Sequence, residues 1–203
     1  MALVTDTDNA LLSMEDAVVY LGLGTSSGAD SSSDSDTVRD LINVVSYRFN
    51  AETGRNLKAR DYTSQFDGNG TNTAQLANWP LASTTITITI NASRDFTSTD
   101  DQITDTDVML DTAAAEVRLD SVGFSKGNQN VQVEYTAGYS TDAAYDLTYA
   151  AKEYLQTVWD RQTARESISV RTEAFEGISR TYELNFPWSV MQVLNTYREG
   201  RAW

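Results

Sequence analysis

Apolar side chains recur at helical spacing in two long stretches, one towards each end of the chain. The first stretch predicts a helix over about residues 36–52, with the stripe Val38, Leu41, Ile42, Val45 and Phe49. The second predicts a helix over about residues 143–165, with the stripe Leu147, Ala150, Ala151, Tyr154, Leu155, Val158 and Trp159. We also expect short helices over about residues 14–21, behind a capping box at Ser13, and from Pro187 onwards.

The middle of the chain, residues 60–135, is predicted to be rich in β-strands. The clearest strand spans residues 84–91, where isoleucine and threonine alternate strictly and each occupies one face. The isoleucines of this strand are Ile86, Ile88 and Ile90. Residues 166–184 alternate more loosely around Glu176-Gly177, which predicts a hairpin or an extended arm.

Together these elements predict an α+β fold. We expect mainly a helical bundle, formed by the N- and C-terminal helices, with an inserted β hairpin or small sheet and a C-terminal arm. One domain is expected over residues 1–186, followed by a final helix and tail over residues 187–203. Residues 22–36 are rich in Gly, Ser and Asp and are predicted to form a loop. They follow a helix, and their glycine spacing does not match a phosphate-binding motif.

The composition excludes several classes of chemistry. The 203 residues are 40% hydrophobic, which is enough for a packed core. The chain contains no Cys and no His, so disulfides, thiol catalysis, Cys- or His-based zinc sites and serine–histidine relays are impossible. With 29 acidic and 15 basic residues, the formal charge is −14, and such a surface repels nucleic-acid phosphate and anionic membranes. We therefore expect neither a DNA-gripping protein nor a membrane-bound one.

Acidic clusters are the remaining candidates for metal binding or catalysis. Residues 67–72 begin like a calcium-binding loop, but the sixth position is not Gly and Asn78 stands where Glu is required. A second cluster, between residues 101 and 111, has no loop signature, and no spacing singles out a catalytic pair of carboxylates. We expect no metal, no cofactor and no catalytic residue. The N-terminus has no secretory signal pattern, so we expect synthesis in a cytoplasm.

Aromatic and arginine residues crowd the last part of the chain. Trp188, Tyr197 and Trp203 occur there together with Arg198 and Arg201. Trp, Tyr and Arg are enriched at the centres of protein interfaces, so this segment is a candidate binding surface. Trp188 and Tyr197 could equally form the core face of the last helix. A large aromatic residue at a fraying terminus, in contrast, gains nothing unless a partner covers it.

An ordered set of segments resembles the head-to-tail connector proteins, also called adaptor or head completion proteins, of long-tailed double-stranded DNA phages. Leu76-Ala77-Asn78-Trp79-Pro80-Leu81 is similar to the family's Leu…Trp-Pro-aliphatic segment before a strand. Val133-Glu134-Tyr135-Thr136-Ala137-Gly138-Tyr139 follows in the family's order. The remaining landmarks are Tyr20-Leu21-Gly22, Glu52-Thr53-Gly54-Arg55, Asp67-Gly68, Asp146-Leu147 and Pro187 with Leu194 and Tyr197-Arg198. The loop over 22–36 and the stretch from about 92 to 115 are longer than the family pattern.

This resemblance implies a non-enzymatic virion protein. Members of the family look like a helical bundle with a β hairpin or small sheet, and they assemble, usually as twelve copies, into a ring beneath the portal. The ring continues the DNA channel, and an acidic lumen lets DNA pass without specific binding. We therefore expect a protein made in the host cytoplasm and located in the head–tail neck of a virion. Its expected partners are the portal protein, a stopper or tail-completion protein, and further copies of itself.

The expected contact residues follow from residue type and family likeness. Contact with the portal is expected at Trp188, Tyr197, Arg198, Arg201 and Trp203. Contact between subunits is expected in the strand 84–91 and the arm 166–184, at Ile86, Ile88, Ile90, Arg171, Phe175 and Arg180. One alternative is a tail-completion or tail-terminator protein, which would bind the tail tube instead of the portal. Another is a secreted carbohydrate-active β domain, against which the missing signal segment and the amphipathic helices count.

Overall fold

The computed structural model describes residues 9–25, 28–29, 32–97, 102–103, 107–120, 122–140, 144–163, 172–175, 178–181 and 186–198. The chain divides into two compact units. The helical unit comprises Met1–Leu57 and Thr141–Trp203, and the β unit comprises Lys58–Ser140. In chain order the elements are α1 (Met14–Tyr20), β1 (Gly24–Thr25), β2 (Gly28–Ala29), α2 (Ser32–Thr53), β3 (Arg60–Gly68), β4 (Thr73–Gln75), β5 (Thr87–Ile90), β6 (Gln102–Ile103), β7 (Val108–Asp111), β8 (Glu116–Leu119), β9 (Gly127–Ala137), α3 (Tyr145–Thr163), β10 (Thr172–Phe175), β11 (Ile178–Thr181) and α4 (Trp188–Tyr197).

The helices of the helical unit lie close to where the sequence pattern predicts them. α1 begins after Ser13, whose hydroxyl accepts from the Asp16 amide at 3.0 Å and donates to the Asp16 carboxylate at 2.6 Å. α2 begins at Ser32, earlier than the predicted residue 36. The predicted loop over 22–36 therefore holds the β1–β2 hairpin and the first turn of α2.

The helical unit has an aromatic centre. The ring of Tyr154 on α3 lies 6.0 Å from that of Phe49 on α2 and 4.5 Å from that of Phe186, which precedes α4. Arg48 donates to the Tyr154 hydroxyl at 2.5 Å, so the polar atom of this buried side chain is satisfied. These contacts join α2, α3 and the segment leading into α4 around one core.

The β unit consists of two antiparallel sheets. The four-stranded sheet has the order β3-β9-β5-β6, and the three-stranded sheet has the order β4-β8-β7. Buried side chains from both sheets form one hydrophobic core, made of Leu76, Leu81, Ile86, Ile88, Ala115, Val117, Leu119, Phe124, Val131, Val133, Tyr135 and Ala137. Alternation along the strands produces this core, as in β8, where every second residue is buried.

The expectation of a mainly helical bundle with an inserted hairpin or small sheet is wrong. Residues 58–140 form two antiparallel sheets with a core of their own, so the protein is richer in sheet than expected, although the α+β class holds. The reason is that the pattern places strands in this segment but does not show which strands pair. The second sheet forms because β8 pairs with both β4 and β7.

The two segments that carry the family resemblance meet where the β unit begins and ends. The Gly138 amide donates to the Pro80 carbonyl at 2.8 Å, which joins the Trp-Pro-Leu segment to the end of β9. Next to this contact Lys58 pairs with Tyr139, and the Ala59 amide donates to the Tyr139 carbonyl at 3.0 Å. The first and last residues of the β unit therefore lie side by side, as an insertion into another unit requires.

The ion pair between α3 and α1 is expected to make stability depend on acid pH. The Lys152 ammonium lies 2.8 Å from the Asp16 carboxylate, and this hydrogen bond, followed by the one from Ser13, holds the pKa of Asp16 below its ordinary value. A carboxylate whose pKa is lowered by folding stabilises the protein above its unfolded pKa of 3.8. That contribution is lost as the pH falls through the folded-state pKa.

Lys152→Met is expected to raise the pKa of Asp16. Because the pair is partly exposed, the variant should lose less than about 1 kcal/mol of unfolding free energy at neutral pH. NMR titration of the Asp16 carboxyl carbon and urea unfolding across the acid range check both statements. The difference in stability should shrink towards zero once the pH has fallen below the folded-state pKa of Asp16, because the carboxyl group is then protonated in both proteins. If the pKa of Asp16 were unchanged in the variant, Lys152 would not be the cause of the lowered pKa.

Candidate interaction surfaces

The acidic clusters do not form a metal site in the described part of the chain. Asp67, from the calcium-like segment, accepts from the Gln129 amide at 2.7 Å. Asp111 accepts from two backbone amides of the turn that follows it. Among the residues described, no group of three or more carboxylates is placed to hold a metal ion, and Asp101 and Asp105 lie outside those residues. These oxygens stabilise turns instead.

One cavity lies at an end of the β unit. Its volume is about 230 Å³, and it is lined by Phe66, Asp67, Asn69, Thr73, Ala74, Gln75 and Phe124. The polar lining is already engaged within the chain, because Asn69 accepts from the Thr71 amide at 2.8 Å and Gln75 donates to the Ala114 carbonyl. The cavity is therefore a gap beside the core without polar groups set for a ligand.

The helical unit carries most of the large apolar side chains that are exposed. Within the described ranges these are Val19, Val44, Tyr47, Tyr145, Tyr149 and Trp188 in the helical unit, and Met109 and Val122 in the β unit. No described helix combines the length and the apolar character needed to cross a bilayer. Exposed aromatic side chains that cluster on one unit mark surfaces that other proteins cover. The helices are thus the candidate interaction surfaces.

The residues predicted to contact the portal occupy different ends of α4. Trp188 is the first residue of α4 and is 74% exposed. About 14 Å away, at 1.5 Å per residue, the Tyr197 hydroxyl donates to Asp146 at 2.5 Å. The neighbouring Arg198 guanidinium pairs with Glu52. Trp188 is therefore open to a partner, whereas Tyr197 and Arg198 hold the end of α4 against α3 and α2.

The isoleucines predicted to contact a neighbouring subunit face the interior instead. Ile86 and Ile88 are buried in the shared core of the two sheets, and Ile90 is partly buried against it. β5 also has a paired strand on each side, β9 and β6, so it offers no open edge to another chain. We therefore remove these three residues from the expected subunit contacts. Alternation places them on one face, and the core covers that face.

The predicted arm contains a hairpin of its own. β10, which ends at Phe175, pairs antiparallel with β11, which contains Arg180. This two-stranded sheet is paired with no other described strand. Arg171, Arg201 and Trp203 lie outside the residues that the structure describes. A role of the hairpin in subunit contacts stays a prediction.

Residues 10–200 match a family model whose description is head completion protein (HCP). The chain belongs to this family. The resemblance to connector, adaptor or head completion proteins, drawn from the ordered sequence segments, is thereby confirmed. No curated protein matches the chain.

Solved structures similar to this head completion protein come from gene transfer agent (GTA) particles. A chain in the neck of an empty GTA particle, computed with C6 symmetry, has a TM-score of 0.62 at 17% identity over 98% of this chain and 95% of that one. A chain in the virion of a native GTA particle has a TM-score of 0.58 at 17% identity over 98% and 95%. A chain in the neck of a native GTA particle, computed with C12 symmetry, has a TM-score of 0.57 at 14% identity over 100% and 96%. The fold is shared nearly from end to end.

Sequence reasoning missed the exposed tyrosines of this head completion protein. Tyr47 is 75% exposed on α2, and Tyr145 and Tyr149 are 75% and 62% exposed on α3. These residues fall outside the apolar stripes, on the polar side of each helix, which a search for stripes ignores. Aromatic residues spaced by a helical turn on that polar side are the signal that would have found them.

Proposed function

We propose that this head completion protein is a structural component of the head–tail neck of a virion. Its membership of the family over residues 10–200 carries the proposal. The fold that it shares with chains of GTA particle necks supports the same assignment. A neck component acts by assembly, so we assign a catalytic role to no residue.

The finer proposal is that the protein is an adaptor ring beneath the portal. In this proposal twelve copies surround and extend the DNA channel and offer a platform to the stopper or tail; the C12 symmetry of one similar neck structure supports that number. A closed ring repeats one heterologous contact, which lets a small chain enclose a duplex. The formal charge of −14 suits such a channel, because a basic wall would hold DNA phosphates by counterion release.

Docking on the portal is assigned to the start of α4 and to the residues beyond Arg198. Trp188 supports this assignment, because it is a large exposed aromatic residue at a helix end. Val190 and Leu194 are fully buried and anchor α4 in the helical unit, so Trp188 is presented from a fixed backbone. A preorganised aromatic anchor loses little conformational entropy when a partner covers it.

Binding to the purified portal protein tests the docking assignment. Trp188→Ala and truncation after Arg198 are each expected to weaken portal binding by about tenfold or more, as loss of an interface anchor does. The truncation keeps α4 complete, unlike a cut at Pro187, which would remove buried side chains. Met109→Ala, an exposed apolar residue of the β unit, is the matched control and should bind normally.

Imaging of the same proteins tests the location. Electron microscopy of mixtures with the portal should show rings seated on it, and a label on the chain should appear in the neck of particles. Unchanged portal binding in both variants would overturn the docking assignment. Tighter binding to the tail tube than to the portal would favour a tail-completion protein. A label found away from the neck would overturn the proposal as a whole.

A further inference from the structure

Two exposed faces lie on different helices of the helical unit. The α2 face consists of Val44 and Tyr47, which are separated by about one helical turn. The α3 face consists of Tyr145 and Tyr149, also one turn apart. Burial and then the neighbouring Tyr149 raise the pKa of Tyr20, the last residue of α1. The α3 face therefore extends onto a second helix.

The two faces point in opposite directions. Tyr47 lies on the side of α2 opposite its buried stripe, and Tyr149 lies on the side of α3 opposite its own buried stripe. α2 and α3 pack together through Phe49 and Tyr154, whose rings lie 6.0 Å apart. Because each face points away from that shared core, the faces point away from each other.

We propose that the α2 face of one copy packs against the α3 face of the next copy and that this contact closes the ring, an inference that rests on the proposed adaptor function. A ring of identical subunits joins one surface of each copy to a different surface of its neighbour. In a ring of twelve, neighbours are related by a rotation of about 30°, so the two surfaces face nearly opposite directions. A portal or stopper lies above or below the ring along its axis. Such a partner would contact one surface of each copy, so it would not account for two exposed faces on opposite sides.

Charge also indicates what kind of contact two copies can make. Each copy carries a formal charge of −14, so contact between copies requires surfaces whose apolar burial outweighs repulsion. Exposed tyrosines meet this need, since a large apolar ring carries a hydroxyl that water solvates before assembly. Arg48, one turn after Val44, is exposed while it donates to the Tyr154 hydroxyl of its own chain, and Glu153, one turn after Tyr149, accepts from the Ser189 hydroxyl. Packing the two faces together brings these opposite charges to the same contact.

Crosslinking between introduced cysteines tests this contact directly, because the chain contains none of its own. Tyr47→Cys and Tyr149→Cys, combined in one full-length chain, place a thiol on each face. Treatment of the assembled protein with a short bismaleimide is expected to give a covalent ladder from dimer to the closed ring. Each single variant is expected to stay uncrosslinked, since like faces do not meet. Met109→Cys combined with Tyr149→Cys is the matched control and should give no ladder.

Electron microscopy of the same samples separates this inference from the proposed function. Rings together with a ladder support the tyrosine contact. Rings without a ladder overturn the tyrosine contact but leave the proposed adaptor ring unaffected. Dimers formed by a single variant also overturn the tyrosine contact, because they show that like faces meet. Absence of rings from the unchanged protein, both alone and with the portal, contradicts the adaptor ring and this inference together. Far-ultraviolet circular dichroism should be unchanged in all variants, because the substituted residues are exposed.

Discussion

Replacing Gly138 with alanine is expected to lower the free energy of unfolding of the β unit by about 3 kcal/mol. Gly138 has a φ of 117°, a conformation that residues with a Cβ atom rarely adopt. A Cβ atom there would lie within 2.7 Å of the Lys58 carbonyl group and the Ala59 nitrogen. The pairing of Lys58 with Tyr139 and the hydrogen bond from Gly138 to Pro80 hold both segments in place, so neither can move aside.

Gly70→Ala is the matched control within the same unit. Gly70 also has a positive φ, 84°, but the atoms nearest to a Cβ atom there belong to the flexible side chain of Lys126. We expect this variant to lose about 1 kcal/mol, the contribution of backbone strain alone. Urea unfolding gives the two free energies, and amide hydrogen exchange shows whether protection is lost over residues 58–140. Equal losses in the two variants would show that the close approach at Gly138 is unimportant.

Tyr154→Ala should destabilise the helical unit by about 4 kcal/mol, as large-to-small changes in aromatic cores do. Tyr154 is fully buried, and its ring contacts those of Phe49 and Phe186. The truncation would leave a cavity between α2, α3 and the segment before α4, and it would also remove the acceptor of Arg48. We expect amide protection to fall in α2 and α3 together.

Tyr154→Phe separates the ring from the hydroxyl. It keeps the aromatic contacts and loses only the hydrogen bond from Arg48, so we expect a loss of about 1 kcal/mol, given that the arginine is exposed and water can solvate it. Urea unfolding of both variants gives the two losses of unfolding free energy. If the phenylalanine variant were as unstable as the alanine variant, the hydroxyl and not the ring packing would be the main contribution.

The helices and the family were predictable from sequence because both depend on local patterns. α2 and α3 each follow an apolar stripe within one continuous stretch, and the capping interaction at Ser13 determines where α1 begins. The segment from Leu76 to Leu81 indicates the family through residue order alone. No knowledge of its partner at Gly138 was needed for that assignment.

The two-sheet core was not predictable in the same way, because it depends on pairing between residues far apart in the chain. Thr73 pairs with Arg118, and Arg60 pairs with Ala137. Alternation along a short strand tells which residues share a face, but it does not tell which strand lies beside it or what covers it. For this reason Ile86 and Ile88 were expected at a subunit contact, although the chain's own core covers them.

By itself the sequence determined the local helices, the acidic charge, the absence of cysteine and histidine chemistry, and the family. Only the tertiary structure decided which faces remained exposed. The isoleucines of β5 are covered by side chains from both sheets, whereas Tyr47 and Tyr149, on the polar sides of their helices, are left uncovered. The physical reason is that burial depends on whether a distant part of the chain packs against a face, which the local pattern of residues does not show.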